Sequence, residues 1–284
     1  MFFLFLLLLA PDASMFYISV VSPAMDWLTQ VVIPFSLSAV VVIIITLVAE
    51  RYGTKVGGII GTLPTNLAVA MVFIGVNRGA SFAADAAVVV PAEMGINILF
   101  LAVFSAAAYR SLPFALTVSL SVWALLSAGL YLGAIENVWL SLAIYLAIMI
   151  PLFLFLERWK KVPSRSPIKV RYTWQKILFR GLLAGTVIAI AVLLSNVGAA
   201  LSGIFSVFPA IFTSTMTIFV YEHGARFAGA MAKSMMLGSL TTVVFSIAVH
   251  LLYPELDIGW GTLAAYAFSF VVVLVVSWIS RRIS

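Results

Sequence analysis

The chain has 284 residues, of which 64% are hydrophobic and 9% are charged, and its mean hydropathy is +1.19. This composition excludes a water-soluble globule, because the polar residues are too few to cover its surface. The lack of cysteine excludes disulfides and thiol-based redox or metal chemistry. The net charge of +6 is clustered, so we interpret it as a topology signal and not as the mark of an acidic partner.

The segment 1–24 is apolar at its start, and its role stays open at the level of sequence. Its first ten residues are too short to cross a membrane, and Pro11 interrupts them. The segment could belong to a tenth span, or it could be a signal-like leader. It could also precede a later start at Met15 or Met25.

Nine further apolar runs have about the 20 residues that a helix needs to cross the hydrocarbon core. Their continuous hydrophobicity excludes a β-barrel, whose strands alternate polar and apolar residues. We therefore predict an all-α integral membrane protein with nine to ten transmembrane helices. The nine lie at about 29–50, 56–76, 82–107, 112–134, 138–156, 177–197, 200–221, 227–251 and 259–280.

A strongly basic connector follows the fifth predicted span and fixes the orientation. It carries Arg158, Lys160, Lys161, Arg165, Lys169, Arg171 and Lys176. Because such loops are retained on the cytoplasmic side, we expect a multi-pass protein of the cell membrane. Its loop 157–176 and its C-terminus would lie in the cytoplasm.

Two parts of the chain repeat one pattern 145 positions apart. Residues 58–64 read GIIGTLP and residues 203–209 read GIFSVFP. The register continues to Gly-Ala-x-Phe-Ala at 79–83 and 224–228, with roughly nine identities over about thirty aligned positions. We interpret the pattern as a gene duplication.

The repeats are predicted to have inverted topology. Four matched spans and one extra span precede the second copy, so it starts on the opposite side of the membrane. We divide the chain into an N-terminal segment 1–24, repeat 1 at 25–134, a linking span with the basic loop at 135–176, and repeat 2 at 177–284. Inverted repeats are typical of secondary transporters, which bind solutes near the midplane at discontinuous helices.

Pro64 and Pro209 lie near the middles of their predicted spans. Proline removes a backbone donor and clashes with the carbonyl four residues earlier, so we predict two Pro-broken helices that cross near the midplane. Nearby hydroxyls and amides favour a binding site, and those we select are Thr65, Asn66, Thr213 and Ser214. The alternative is that prolines and small residues serve kinks and close packing.

Glu93 is the most distinctive single residue, because it lies near the centre of the third predicted span. A carboxylate there costs at least ~2.5 kcal/mol and should face protein or water. Asn97 shares its helical face. Lys233 is a second charge within a span, and a structural ion pair between Lys233 and Glu93 is the alternative to a functional role for both.

Four other polar residues are weaker candidates. Asp85 begins the third predicted span, where either simple solvation or a role at the outer entrance would explain it. Glu222, His223 and His250 lie at span ends and are expected to face water. The pattern contains no metal-binding spacing, phosphate loop or nucleophile motif, so we expect no metal, no cofactor and no enzymatic activity.

The paired glycines at 57–58, the proline and the Gly-Ala-x-Phe-Ala turn resemble small prokaryotic multi-pass families, including the GlpM-like proteins. Their four-span unit is similar to one half of this chain, and the resemblance covers about 30 residues in each copy. It implies no substrate. The five-plus-five architecture is also similar to that of inverted-repeat secondary transporters, namely drug/metabolite exporters and bile-acid-type symporters.

These patterns predict a secondary transporter that moves a small solute by alternating access, with an intramembrane carboxylate as the candidate for proton or cation coupling. The alternatives are an ion channel and a lipid or amphiphile translocase. The expected partners are membrane lipids and a small-molecule or ion substrate, with no nucleic acid, and a homodimer stays an open alternative.

Overall fold

The structure is a computed structural model that describes residues 27–61, 64–158 and 173–283. The predicted segment 1–24 and most of the predicted loop 157–176 lie outside the described residues. The described chain is helical and contains no strand, which confirms the all-α prediction.

Ten helices follow one another along the described chain, after a π-helical turn at Leu28–Val32. They are α1 (Ile33–Gly61), α2 (Thr65–Arg78), α3 (Ala80–Val88), α4 (Val90–Ala107), α5 (Leu112–Leu132), α6 (Val138–Arg158), α7 (Trp174–Leu194), α8 (Ala199–Ser206), α9 (Ala210–His223) and α10 (Ala225–Ile283).

Seven stretches of the described chain are long and apolar enough to cross a membrane. They are Leu28–Leu47, Val90–Ala107, Leu112–Leu132, Val138–Phe155, Trp174–Leu194, Ala199–His223 and Met231–Leu274. The last has 44 residues, or about 66 Å of helix at 1.5 Å per residue, which is twice the ~30 Å thickness of a hydrocarbon core. These lengths and compositions indicate a multi-pass membrane protein.

The predicted span 56–76 is not a single helix. Helix α1 ends at Gly61, and α2 begins at Thr65 and has 14 residues, which is too short to cross the core. The helical backbone of α1 instead continues through 50–56, where we predicted a connection between two spans. Pro64, directly before α2, has a non-helical backbone with ψ 49°.

Helix α10 folds back on itself around Asp257, whose backbone is not helical (φ 57°, ψ 177°). Three contacts join the two arms, and each successive contact lies nearer to Asp257 in sequence. They are Thr241 with Ser269, Phe245 with Tyr266, and Tyr253 with Thr262. The pattern is that of an antiparallel helical hairpin. The predicted spans 227–251 and 259–280 thus lie one in each arm.

The predicted span 82–107 is interrupted at Val89, between α3 and α4. Pro91 explains the interruption, because it has no N–H to donate and its ring clashes with the carbonyl of Ala87. The hydroxyl of Ser141 on α6 accepts a hydrogen bond from the Ala92 amide at 2.9 Å, so a side chain satisfies a donor of the first turn of α4.

Helix α4 lies at the centre of the packing. It contacts α5, α6 and α10, and 12 of its 18 residues are buried, against 4 of the 21 residues of α5. Glu93 and Asn97 are on α4, so their polar groups are enclosed by protein and not by acyl chains.

Helices α1 and α7 pack closely along their lengths. A Cβ atom built on Gly185 of α7 would lie 2.6 Å from the carbonyl oxygen of Phe35, and one built on Gly181 would lie 2.7 Å from Ile43. Small residues four positions apart allow such close approach of two membrane helices. The α1–α7 pair thereby forms one continuous wall of the molecule.

Candidate functional site

The backbone around Pro64 and that around Pro209 adopt nearly the same conformation. Pro64 precedes α2 with φ −78° and ψ 49°, and Pro209 precedes α9 with φ −73° and ψ 38°. Neither ψ is helical. Helix α8 ends at Ser206 and α9 begins at Ala210, so a short non-helical segment of three residues separates them.

The helices that follow the two prolines also end alike. Helices α2 and α9 have 14 residues each. Each is followed by a glycine with positive φ, 96° at Gly79 and 81° at Gly224, a conformation that favours glycine because it has no Cβ atom. The sequence pattern spaced by 145 residues thus corresponds to one repeated local structure.

The structure contains a cavity of about 240 Å³ that both prolines border. Pro64 borders it on one side, and the segment from Ser206 to Pro209 borders it on the other. Helices α1, α4, α7 and α10 supply further walls. The polar groups of its lining include those of Thr65, Asn66, Arg180, Ser206, Ser239 and Thr242.

The structure brings four of the predicted site residues to this cavity: Pro64, Thr65, Asn66 and Pro209. The amide oxygen of Asn66 lies 3.4 Å from the hydroxyl of Ser38 on α1, which orients the Asn66 side chain. Thr213 and Ser214 are further along α9 and outside the described lining. Ser214 donates to the carbonyl of Ile211 at 3.1 Å, which is a local helical contact.

Asn97 contacts the segment between α8 and α9. Its side-chain nitrogen donates to the carbonyl oxygen of Val207 at 2.7 Å, and the residue is fully buried. A carbonyl outside a helix has lost its intrahelical donor, and in a buried position it needs another. Asn97 supplies that donor from a position 110 residues away in sequence.

Glu93 is fully buried one helical turn before Asn97. The hydroxyl of Ser127 on α5 donates to its Oε1 at 2.8 Å, and its Oε2 accepts no hydrogen bond from the described residues. Trp123, one turn before Ser127, makes edge contacts with the rings of Phe205 and Phe208, at centroid distances of 5.9 and 4.7 Å. Helix α5 thus connects the surroundings of Glu93 to the α8–α9 segment.

Lys233 and Glu93 contact different helices. Lys233 is buried on α10, and its Nζ lies 5.8 Å from the ring centroid of Phe153 on α6, within reach of a cation–π interaction. The hydrogen-bond partner of Glu93 is on α5. The described contacts of Lys233 and Glu93 are thus made to different helices, and the ion pair stays the alternative explanation of these two residues.

The weaker candidates lie away from the cavity. Asp85 is exposed on α3, as simple solvation would require. Glu222 is ion-paired with Lys176 of α7, and the ring of His223 lies beside the same carboxylate. His250 was expected to face water, but its Nδ1 lies 3.0 Å from the carbonyl oxygen of Ala84. Within the described chain, no three acidic, histidine or cysteine residues cluster as a metal site would require.

Arg180 is a cavity residue that the sequence analysis missed. It lies on α7, and its Nη1 donates to the hydroxyl of Thr215 on α9 at 3.0 Å. The sequence did contain a signal for Arg180, because it is a single cation whose neighbours in sequence are Phe179, Gly181 and Leu182. Charged residues within membrane spans usually face protein or a water-filled space.

No protein-family model, curated protein or solved structure matches the chain.

Proposed function

We propose that the protein is a secondary membrane transporter that moves a small solute by alternating access. In this proposal the two repeats have inverted topology, and the helices interrupted at Pro64 and Pro209 cross near the middle of the membrane. The observation that carries it is the cavity of about 240 Å³ that Pro64 and the segment between α8 and α9 both border. Irregular backbone is tolerated in a membrane where it lines such a cavity.

The matching backbone of the two segments supports the duplication. Random kinks would not share their proline conformation, the length of the following helix and a terminal glycine with positive φ. When an axis in the membrane plane relates two repeats, their equivalent segments are expected to border one cavity. The solute would then be exposed to each side of the membrane in turn as one repeat moves against the other.

Glu93 is our candidate for coupling to a proton or another cation. It does not line the cavity, but its neighbour Met94 does, and Asn97 on the same helix bonds the α8–α9 segment. A change in the charge of Glu93 would alter its hydrogen bond with Ser127 and the packing of α5 against Phe205 and Phe208. Coupling then acts through the wall of the cavity and not through direct contact with the solute.

The test of this proposal is solute uptake by the purified protein in liposomes. A panel of labelled organic acids, amines and amino acids would be offered with an imposed pH gradient, with a sodium gradient and with neither. A transporter gives saturable uptake that is accelerated by the same solute on the far side. Absence of protein-dependent, saturable uptake across the panel would contradict the proposal.

We expect Glu93→Gln to abolish accumulation driven by the gradient while leaving solute exchange at equal concentrations intact. The amide imitates the protonated acid, and exchange needs no net proton movement. Asp85→Asn makes the same chemical change at an exposed carboxylate and should behave as the wild type. Undiminished gradient-driven accumulation by Glu93→Gln would remove Glu93 from the coupling mechanism.

Two further measurements on the purified protein separate the two alternatives. A steady conductance in planar bilayers, far above the turnover of a transporter, would identify a channel. Movement of a labelled lipid between leaflets, with no uptake of soluble solutes, would identify a lipid translocase. The apolar part of the cavity lining is compatible with an amphiphile, whereas a channel requires a continuous polar path.

A further inference from the structure

Resting on the proposed transport function, we infer that the solute is a small amphiphilic oxyanion, and that Arg180 holds its carboxylate or phosphate group in the cavity between Pro64 and Pro209. The charge of the lining gives the first argument. Among the described residues that line the cavity, Arg180 is the one with a charged side chain. An arginine stays protonated in proteins and presents a planar set of donors that matches an oxyanion.

The hydrogen bond of Arg180 to Thr215 turns the guanidinium toward α9 and fixes one of its nitrogen atoms. Thr215 is buried on α9, a little more than one turn after the start of that helix. The cation is thus held beside the beginning of α9, at the border of the cavity.

The two helix starts add positive potential to the same space. Helices α2 and α9 both begin at the cavity border, and neither N-terminus is capped by a side-chain hydrogen bond. The residue before each helix is proline, which has no N–H. At α9 the Ala210 N–H already donates to the Phe208 carbonyl oxygen at 2.7 Å, so the first-turn donors that remain there are those of Ile211 and Phe212. The positive ends of two helix dipoles therefore converge with Arg180, which favours an anion and disfavours an ammonium ion.

Most of the other lining residues are apolar, and they describe the other end of the solute. Val42 and Ile45 of α1, Leu67 of α2, Val187 of α7 and Phe212 of α9 border the cavity. A small ligand with an apolar body and one anionic head would contact these walls, whereas a small inorganic ion would leave the apolar side chains without contacts.

The inference is tested with four probes that share a six-carbon chain: hexanoate, hexyl phosphate, hexylammonium and hexanol. Binding to the purified full-length protein is measured by calorimetry and by the shift of its thermal unfolding. We expect binding of at least one of the two anions and none of the cation or the alcohol. The two anions tell a carboxylate preference from a phosphate preference.

Arg180→Gln should weaken binding of the preferred anion roughly 10- to 100-fold, the range for loss of a charge-assisted hydrogen bond. Arg180→Lys should restore part of the affinity, because it keeps the charge and loses the planar fork. Arg110→Gln, at an exposed arginine near the end of α4, should leave the affinity unchanged.

A second variant, Asn66→Asp, tests the inference if Arg180→Gln does not fold. The new carboxylate keeps the acceptor for Ser38 and adds a negative charge to the cavity. It should weaken anion binding and create binding of hexylammonium. Binding of hexylammonium by the wild type, equal affinity for hexanoate and hexanol, or no binding of either anion at millimolar concentration would each overturn the inference.

The binding and uptake experiments distinguish a failure of the oxyanion inference from a failure of the proposed transport function. If an anion binds as described but is not taken up by liposomes, the oxyanion site stands and the transport function falls. If liposomes take up amines and not anions, the transport function stands and the oxyanion inference falls.

Discussion

A single amide connects the centre of the molecule to the segment between α8 and α9. Asn97 donates to the Val207 carbonyl at 2.7 Å, and both residues are buried. Water cannot replace this donor easily at a site enclosed by protein. The hydrogen bond should therefore contribute more than an equivalent bond at the surface.

We expect Asn97→Ala to lower the free energy of unfolding by ~1–3 kcal/mol, because the Val207 carbonyl would be left buried without its donor. The matched control is Asn196→Ala, which removes an exposed amide that donates to Gln30 at 2.8 Å and should have little effect. Unfolding in mixed detergent micelles measures both variants. Equal stability of Asn97→Ala and the wild type would show that the carbonyl finds another partner.

Among the helices, the approach of α8 to α3 is unusually close. A Cβ atom built on Gly203 would lie 2.0 Å from the carbonyl oxygen of Ala86 and 2.8 Å from Val89. Backbone cannot move as easily as the end of a side chain, so this contact restricts the position to glycine. Gly203 also lies within the pattern repeated at 145 residues, which now has a packing explanation in this copy.

Gly203→Ala should therefore destabilise the protein by ~1–3 kcal/mol through overpacking. Gly198→Ala, just before α8, is the matched control, since nothing lies within 4 Å of its added Cβ and its φ of 171° is open to any residue. Thermal unfolding of the two variants in detergent checks the difference. A tolerated Gly203→Ala would mean that α3 and α8 can separate without loss of stability.

For the whole molecule, we expect the basic loop to be cytoplasmic and the connection between α5 and α6 to lie outside the cell. The chain has no cysteine, so one introduced cysteine is a selective probe. In intact cells, a membrane-impermeant maleimide should label Glu136→Cys and spare Ser164→Cys, and both should react after lysis. Labelling of Ser164→Cys in intact cells would reverse the orientation.

Features that depend on the chemistry of a single residue could be predicted from the sequence, whereas contacts between distant segments could not. The loss of an N–H and the steric clash belong to proline itself, so the sequence alone could predict interruptions at Pro64 and Pro209. The pairing of Asn97 with Val207 depends on how α4 packs against the α8–α9 segment, and so does the position of Arg180 at the cavity. The prediction from the length of the hydrophobic runs also misplaced the connection at 50–56. Run length does not show whether a helix continues through charged residues.

The hydrogen bonds of α4 have a mechanical consequence. Through Ala92, Glu93 and Asn97, this helix is fastened to Ser141, to Ser127 and to the main chain at Val207. While these bonds hold, the parts that they join move together. Asn97 belongs to repeat 1 and Val207 to repeat 2, so a movement of one repeat against the other would first have to break this hydrogen bond. In the proposed cycle, each change of access would therefore begin with the release of Asn97 from Val207.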